Sequence, residues 1–173
     1  GIPSIVYGLF GMLFFVTYLG WGTSLLAGAM TLSIMILPLI MRSTEEALRA
    51  VPDSYREGSF GLGAGRLRTV FKVILPPAMP GILAGIIRAV GRIVGETAAL
   101  LYTSGTMAKI PDLAHDHLVM GAGRTLAVHM YMLSGEGLHM KEANATAVVL
   151  LVVVLLINML SSFIAKKLTK EKA

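Results

Sequence analysis

Four apolar runs divide this chain, and two polar stretches separate them. Three runs carry no charge, over 5–19, 25–41 and 145–164, and a fourth, mostly apolar run covers 76–102. About 20 apolar residues in a helix cross the hydrocarbon core of a bilayer, so each run is predicted to be a span, the first a short one. Tyr18 and Trp21 at the end of the first run are typical of a membrane interface. The pattern predicts an all-α membrane protein, a polytopic helical bundle with about four spans.

The polar stretches are predicted to be loops on opposite sides of the membrane. Residues 42–72 contain six Lys or Arg and four acidic residues, which indicates a polar loop with short helices. A capped helix is expected to begin at Thr44, Pro52 to break it, and a second helix to begin at Asp53. The loop over 103–143 contains one amphipathic piece, 125–133, which either lies on the membrane surface or packs on the spans.

Composition indicates that the chain lies in a bilayer, and the distribution of charge indicates its orientation there. Hydrophobic residues make up 55% of the chain and charged residues 14%, so the bilayer is the expected solvent. Six basic residues in the 42–72 loop and four in the tail from Lys166 compare with three in the 103–143 loop. Basic residues are retained on the cytoplasmic side, which predicts a multi-pass protein of the cell membrane, plasma or inner, with a cytoplasmic C-terminus and an external 103–143 loop.

The sequence lacks the residues that several other classes of function require. The net charge is +5, but no basic stripe interleaved with aromatics is present, which argues against nucleic-acid binding. The absence of cysteine excludes disulfides and thiolate chemistry. The glycines of 61–65 lack both the strand of a dinucleotide fingerprint and the Gly-Lys-Ser/Thr of a phosphate loop.

One motif lies in the predicted cytoplasmic loop, which as a functional unit covers 42–76. It consists of Glu57-Gly58-Ser59-Phe60-Gly61-Leu62-Gly63, nine further residues, and Val73-Ile74-Leu75-Pro76. Taken singly, these glycines and prolines are also ordinary turn and helix-start residues. The whole spacing resembles the EAA loop of ABC importer permeases, with Gly58 and Ser59 in place of the two alanines. The resemblance implies a coupling helix that sits in a groove of a separate ATPase subunit.

The resemblance also implies the contact residues of that helix. They are Tyr55, Arg56, Glu57, Gly58, Ser59 and Gly63. Small residues at 58 and 59 let a partner surface approach closely, and Gly63 permits the turn that ends the helix. Leu75-Pro76 then restarts the chain as a span.

Further segments resemble the PstA-type phosphate permeases. They are Gly1-Ile2-Pro3-Ser4-Ile5-Val6, the stretch from Thr44 to Pro52, the stretch from Gly91 to Leu100 and the stretch from Gly123 to His129. The resemblance implies a type I (MetI-like) permease fold, residues 1–173 forming a single permease domain that lacks its first two of six spans. It implies inorganic phosphate as substrate, a PstC-type second permease subunit, a PstB-type ATPase that hydrolyses ATP, and an external phosphate-binding protein. The subunit itself is expected to be no enzyme and to need no cofactor.

Three ionisable residues recur every four positions in the third predicted span: Arg88, Arg92 and Glu96. Such groups usually face a bundle interior or a water-filled path, and arginine suits a tetrahedral oxyanion. Arg88 is the first choice for a contact with the substrate and Arg92 the second. Glu96 either pairs with Arg92 or closes the path by repelling anions. The alternative is that Arg92 and Glu96 only satisfy each other inside the bundle.

The rival functions are a permease for another solute, such as sulfate or molybdate, and an intramembrane enzyme. The EAA pattern is shared among importers, so it does not separate the solutes. The predicted spans lack the residues that catalysis inside the membrane requires. Glu96 is the only acidic residue in any of them, and none contains a histidine. No metal site is expected from His115, His117, His129 and His139.

Overall fold

The computed structural model describes residues 2–108, 119–137 and 139–170, and within them every regular element is a helix. The helices are α1 (Ser4–Gly11, continued as a π-helix over Met12–Tyr18), α2 (Leu25–Arg49), α3 (Asp53–Gly61), α4 (Arg66–Thr69, continued as a π-helix over Val70–Ile74), α5 (Leu75–Val94), α6 (Ala98–Thr103), α7 (Leu126–Glu136) and α8 (Met140–Lys170). The predicted all-α fold is confirmed. Two compact units are present, one from 1–36 and 92–156 and the other from 37–91 and 157–173.

Among the described residues, three helical segments are long and apolar enough to cross a membrane: Leu25–Arg49, Arg66–Val94 and Met140–Lys167. The first predicted span, 5–19, corresponds to the shorter apolar helix Ser4–Tyr18. At 1.5 Å per residue that helix reaches only about 22 Å, against about 30 Å for the hydrocarbon core. Of the four predicted spans, three therefore have membrane length.

The prediction of a helix start at Thr44 is wrong, because α2 continues through Arg42 without a break and ends at Arg49. A pair between Arg49 and Glu45 at 2.7 Å, one turn apart, supports this last part of the helix. The break at Pro52 and the new helix from Asp53 are confirmed.

The helix of the predicted third span ends before residue 102, where the apolar run ends. Helix α5 ends at Val94, and Gly95, Glu96 and Thr97 separate it from the short helix α6. The glycine disfavours a continued helix, and the Glu96 carboxylate accepts the Ala99 backbone N–H at 3.3 Å, at the start of α6. The apolar run over 76–102 therefore contains two helices.

A π-helical turn precedes the prolines of α5. Pro76 and Pro77 have no N–H, so the carbonyls of Lys72 and Val73 cannot receive the usual bond from four residues ahead. The wider turns of Val70–Ile74 lie at this point. The helical path from Arg66 to Val94 is thereby kept through its proline cluster.

In the first unit, small residues bring α1, α2 and α6 together. A Cβ on Gly8 of α1 would lie 2.8 Å from the Ala99 Cα of α6, and one on Gly28 of α2 would lie 2.9 Å from the Ser104 Cβ. Such close approach of backbones is typical of helix packing in membranes. Helix α7 contacts α6, with Val128 fully buried, so 125–133 packs on other helices.

In the second unit, two glycines of α5 pack against two small residues of α2. A Cβ on Gly81 would lie 2.8 Å from the Ala47 Cβ, and one on Gly85 would lie 2.5 Å from the Ser43 Cβ. Gly81 and Gly85 form a Gly-x-x-x-Gly pattern, which places both on one face of α5. Close to these contacts, Val51, Ile74 and Ala78 form a small buried core.

Candidate coupling and translocation sites

Helix α3 is fixed to the end of α2 by Arg56. Its guanidinium donates to the carbonyl oxygens of Leu48 at 2.8 Å and Val51 at 3.0 Å, and it pairs with Asp53 at 2.7 Å. The last carbonyls of a helix lack partners within that helix, so an arginine placed here satisfies them. The sequence predicted Arg56 as a contact for an ATPase, but this side chain is occupied by its own chain and is only partly exposed.

The C-terminus of α3 has the predicted glycine turn. Gly63 has φ +81°, a conformation that other residues adopt only at a cost, and the Ala64 N–H donates to the Ser59 carbonyl at 3.1 Å. These bonds satisfy the end of the helix and direct the chain toward α4. The predicted turn at Gly63 is confirmed.

Ser59, the second small residue of the motif, is buried. Its hydroxyl is buried and lies 2.9 Å from the hydroxyl of Thr69, which in turn donates to the Gly65 carbonyl at 3.2 Å. The hydroxyl of Ser59 is therefore directed at α4. A small polar residue is required here because the two helices meet at this point.

The outward surface of α3 is formed by Tyr55, Glu57 and Gly58, all of them exposed. A Cβ on Gly58 would meet no atom within 4 Å, and the same is true of Gly63. The chain itself thus gives no packing reason for glycine at position 58. Beside this surface lies a depression of about 490 Å³, lined by Ser54, Tyr55, Gly58, Ser59, Leu62, Gly63, Ala64, Arg68 and Val73.

Arg88 and Arg92 lie one turn apart on α5, and both are exposed. Among the described residues, neither guanidinium forms a side-chain hydrogen bond or an ion pair. Since α5 ends at Val94, Arg88 is about 20 Å along the helix from Leu75 and about 9 Å from its end. It therefore lies nearer the C-terminal end of α5 than its middle.

Glu96 does not continue the strip of Arg88 and Arg92, because it lies in the break after α5. Its carboxylate accepts the Ala99 N–H, and the ion pairs of the described residues include none between Arg92 and Glu96. The spacing of four residues indicated one helix face only on the assumption that the helix continued.

Two of the four histidines, His115 and His117, lie outside the described residues. Of the other two, His129 is in α7, and the His139 Nδ1 is 3.8 Å from a Glu142 oxygen. Within the part of the chain that the structure describes, no three histidine or acidic side chains are grouped as metal ligands.

The helix contact of Gly81 and Gly85 was not predicted, although their Gly-x-x-x-Gly spacing is a signal for it. The role of Arg56 in holding α3 was not predicted either. That role has no sequence signal, because it depends on the carbonyls of a preceding helix coming within reach of the guanidinium.

Several known proteins are similar to this chain. A probable ABC transporter permease, YqgI of Bacillus subtilis, is 39% identical over 97% of this chain and 62% of its own length. The phosphate transport system permease protein PstA 1 of Mycobacterium tuberculosis is 34% identical over 99% of this chain and 56% of its own length. PstA 2 of Mycobacterium bovis is 50% identical over 61% of this chain and 35% of its own length.

These relatives are longer, and the chain spans between about a third and three fifths of their length. No solved structure matches the chain. The family model described as the inner membrane component of binding-protein-dependent transport systems matches residues 1–172. The predicted resemblance to importer permeases is confirmed, and the chain belongs to this family of inner membrane transport components.

Proposed function

We propose that this chain forms part of the membrane-spanning permease subunit of an ATP-driven importer that carries inorganic phosphate. The observation that carries the proposal is helix α3, a short helix with an open outer surface between two helical segments of membrane length. A transport permease receives movement from a separate ATPase, and such a helix provides a stiff point of contact.

The contact surface of α3 consists of Tyr55, Glu57, Gly58 and the turn at Gly63. Open space around Gly58 and Gly63 lets a partner backbone approach closely, and the exposed Glu57 adds a negative charge to the surface. Arg56 and Ser59 support this surface indirectly, because Arg56 fixes α3 to α2 and Ser59 fixes it to α4. The partners are an ATPase of the PstB type, a second permease of the PstC type and an external phosphate-binding protein.

Phosphate as the substrate is supported by two observations. Two relatives are named phosphate transport system permease proteins, and they match 99% and 61% of this chain. In addition, Arg88 and Arg92 are exposed cations on a helix of membrane length. A charged group that faces lipid inside the hydrocarbon core is costly, so Arg88 faces a water-filled path or a partner subunit, and Arg92 follows one turn later, near the end of α5. Their planar guanidinium forks fit the oxygens of a tetrahedral anion.

The orientation follows from the same assignment. The ATPase is cytoplasmic, so α3 and the C-terminal tail lie on the cytoplasmic side, in agreement with the six Lys or Arg of the 42–72 loop and the four of the tail. The subunit moves its substrate without covalent chemistry, and ATP is hydrolysed by the partner.

Gly58 provides the test of coupling. Gly58→Trp is expected to abolish ATPase association and phosphate uptake in the assembled transporter, because a bulky group occupies the contact surface. Gly58→Ala is the matched control, since it meets no atom of this chain and favours the helix by about 1 kcal/mol. Normal association and uptake in Gly58→Trp would overturn the coupling role.

The substrate is tested by uptake into vesicles that contain the assembled transporter, its binding protein and ATP. Labelled phosphate is expected to accumulate, and sulfate and molybdate in excess are expected to leave that uptake unchanged. Accumulation of sulfate or molybdate without phosphate would replace the proposed substrate while retaining the importer.

A further inference from the structure

The helical segment Arg66–Ile74 carries two exposed strips of opposite character. Leu67 and Phe71, four residues apart, are 76% and 62% exposed. Arg68 and Lys72, also four residues apart, are exposed beside them. Residues at this spacing share a face of a helix, so an apolar strip and a basic strip run side by side.

The length of the helix places these strips near the membrane surface. The segment Arg66–Val94 has 29 residues, which corresponds to about 43 Å, whereas the hydrocarbon core is about 30 Å thick. Helix α5, with 20 residues, is sufficient to cross that core. The part before it, Arg66–Ile74, therefore lies at the level of the lipid headgroups.

The charge of this region is of one sign. Between Glu57 and Glu96 the sequence contains no acidic residue, so Arg66, Arg68 and Lys72 have no carboxylate on their own segment. Among the described residues, their side chains form no hydrogen bond or ion pair. Three cations beside exposed apolar side chains require a partner that supplies both negative charge and an apolar phase.

We propose that Arg66–Lys72 binds anionic phospholipid headgroups of the cytoplasmic leaflet. Leu67 and Phe71 insert below the phosphates, and Arg68 and Lys72 contact the phosphate oxygens, as in helices that lie at a membrane interface. The proposal rests on the proposed function only for the side of the membrane. The occupant is a lipid because the strips continue directly into a helix of membrane length, which fixes their depth.

Lipid retention is the first test. The assembled transporter is reconstituted in nanodiscs of phosphatidylcholine with or without phosphatidylglycerol, and bound lipid is measured by native mass spectrometry. The double variant Arg68→Gln, Lys72→Gln is expected to lose affinity for phosphatidylglycerol by about five-fold for each charge removed. Arg49→Gln is the matched control, because Arg49 is also an exposed cation but is paired with Glu45. Equal retention in both variants would overturn the proposal.

Depth is the second test, and it does not depend on phosphate uptake. The 173 residues contain no cysteine, so Phe71→Cys and Leu62→Cys each give this chain a single site for a nitroxide label. Leu62 is 91% exposed and lies in the turn after α3, which makes it the control in water when the ATPase is absent. The label at 71 is expected to be shielded from an aqueous relaxation agent and accessible to oxygen, with or without the ATPase. Shielding that appears only with the ATPase would assign this surface to a protein partner instead.

Discussion

The hydroxyl of Ser59 in α3 lies 2.9 Å from the hydroxyl of Thr69 at the end of α4, and both side chains are buried. The bond connects the proposed coupling helix with the helical segment that continues to Val94. Without it, a movement of α3 could be absorbed by the glycine-rich turn over 62–65. The pair therefore favours transmission of such a movement to α5.

Ser59→Ala is expected to loosen this connection by about 1 kcal/mol, because the Thr69 hydroxyl retains Gly65 as its acceptor. Thr69→Val removes both bonds and is expected to have the larger effect. Amide hydrogen exchange in α3 of the assembled transporter measures the loss, and about five-fold faster exchange is expected for Ser59→Ala. Ser54→Ala, at an exposed position of the same helix, is the control. Equal protection in all three variants would show that the bond has no such role.

Gly63→Asp is expected to abolish uptake while the subunit still inserts into the membrane. The substitution places a side chain at φ +81°, at a cost of about 1 kcal/mol, and adds a charge to the proposed contact surface. Gly65→Asp adds the same charge two residues later, at an ordinary φ of −71° before α4, where aspartate suits a helix start. The measurement is uptake per assembled complex, and equal values for the two variants would contradict the conformational part of the explanation.

Gly85→Leu is expected to separate α5 from α2, because even a Cβ at this position would lie 2.5 Å from that of Ser43. Overpacking of this kind costs about 1–3 kcal/mol or more. Ala84→Leu is the matched control, since Ala84 is exposed on the same helix. The midpoint of thermal unfolding of the purified complex is expected to fall for Gly85→Leu alone. A similar fall in both variants would point to a general intolerance of α5.

The sequence predicted the features that depend on local composition. Apolar runs indicated the membrane helices, Pro52 the break after α2, and Gly63 the turn after α3. It failed where a helix boundary depends on contacts. The charge at Arg42 suggested the end of a helix, but polar residues extend α2 to Arg49, and the Gly95 break was hidden in an apolar run.

The helix that carries the candidate coupling site was predicted, but the contacts of its side chains within the chain were not. The EAA spacing located α3 and its turn, but not which side chains face outward, because helix orientation is set by tertiary contacts. Arg56 is held by a carbonyl of α2 and Ser59 by Thr69, and a sequence motif shows neither of these contacts.

Glu96 distinguishes a structural role from a gate. Glu96→Gln keeps an oxygen that accepts the Ala99 N–H, so stability is expected to remain, whereas Glu96→Ala is expected to cost about 1 kcal/mol. If the carboxylate serves only this bond, uptake per complex is unchanged in Glu96→Gln. Faster anion uptake or leak in Glu96→Gln, with unchanged thermal stability, would instead support repulsion of anions by the charge.

Arg88→Gln is expected to lower phosphate uptake per complex by about ten- to hundred-fold, which corresponds to the loss of one charge-assisted hydrogen bond. Arg88→Lys is expected to be partly tolerated, because an ammonium keeps the charge but cannot form the bidentate contact. Since Arg88 is exposed and forms no side-chain bond to another described residue, its removal leaves no buried partner unpaired within this chain. The amount of complex in the membrane is therefore expected to stay constant, as for the surface variant Arg49→Gln. Normal uptake per complex in Arg88→Gln would exclude the path role, and loss of the complex itself would assign Arg88 to an interface with a partner subunit.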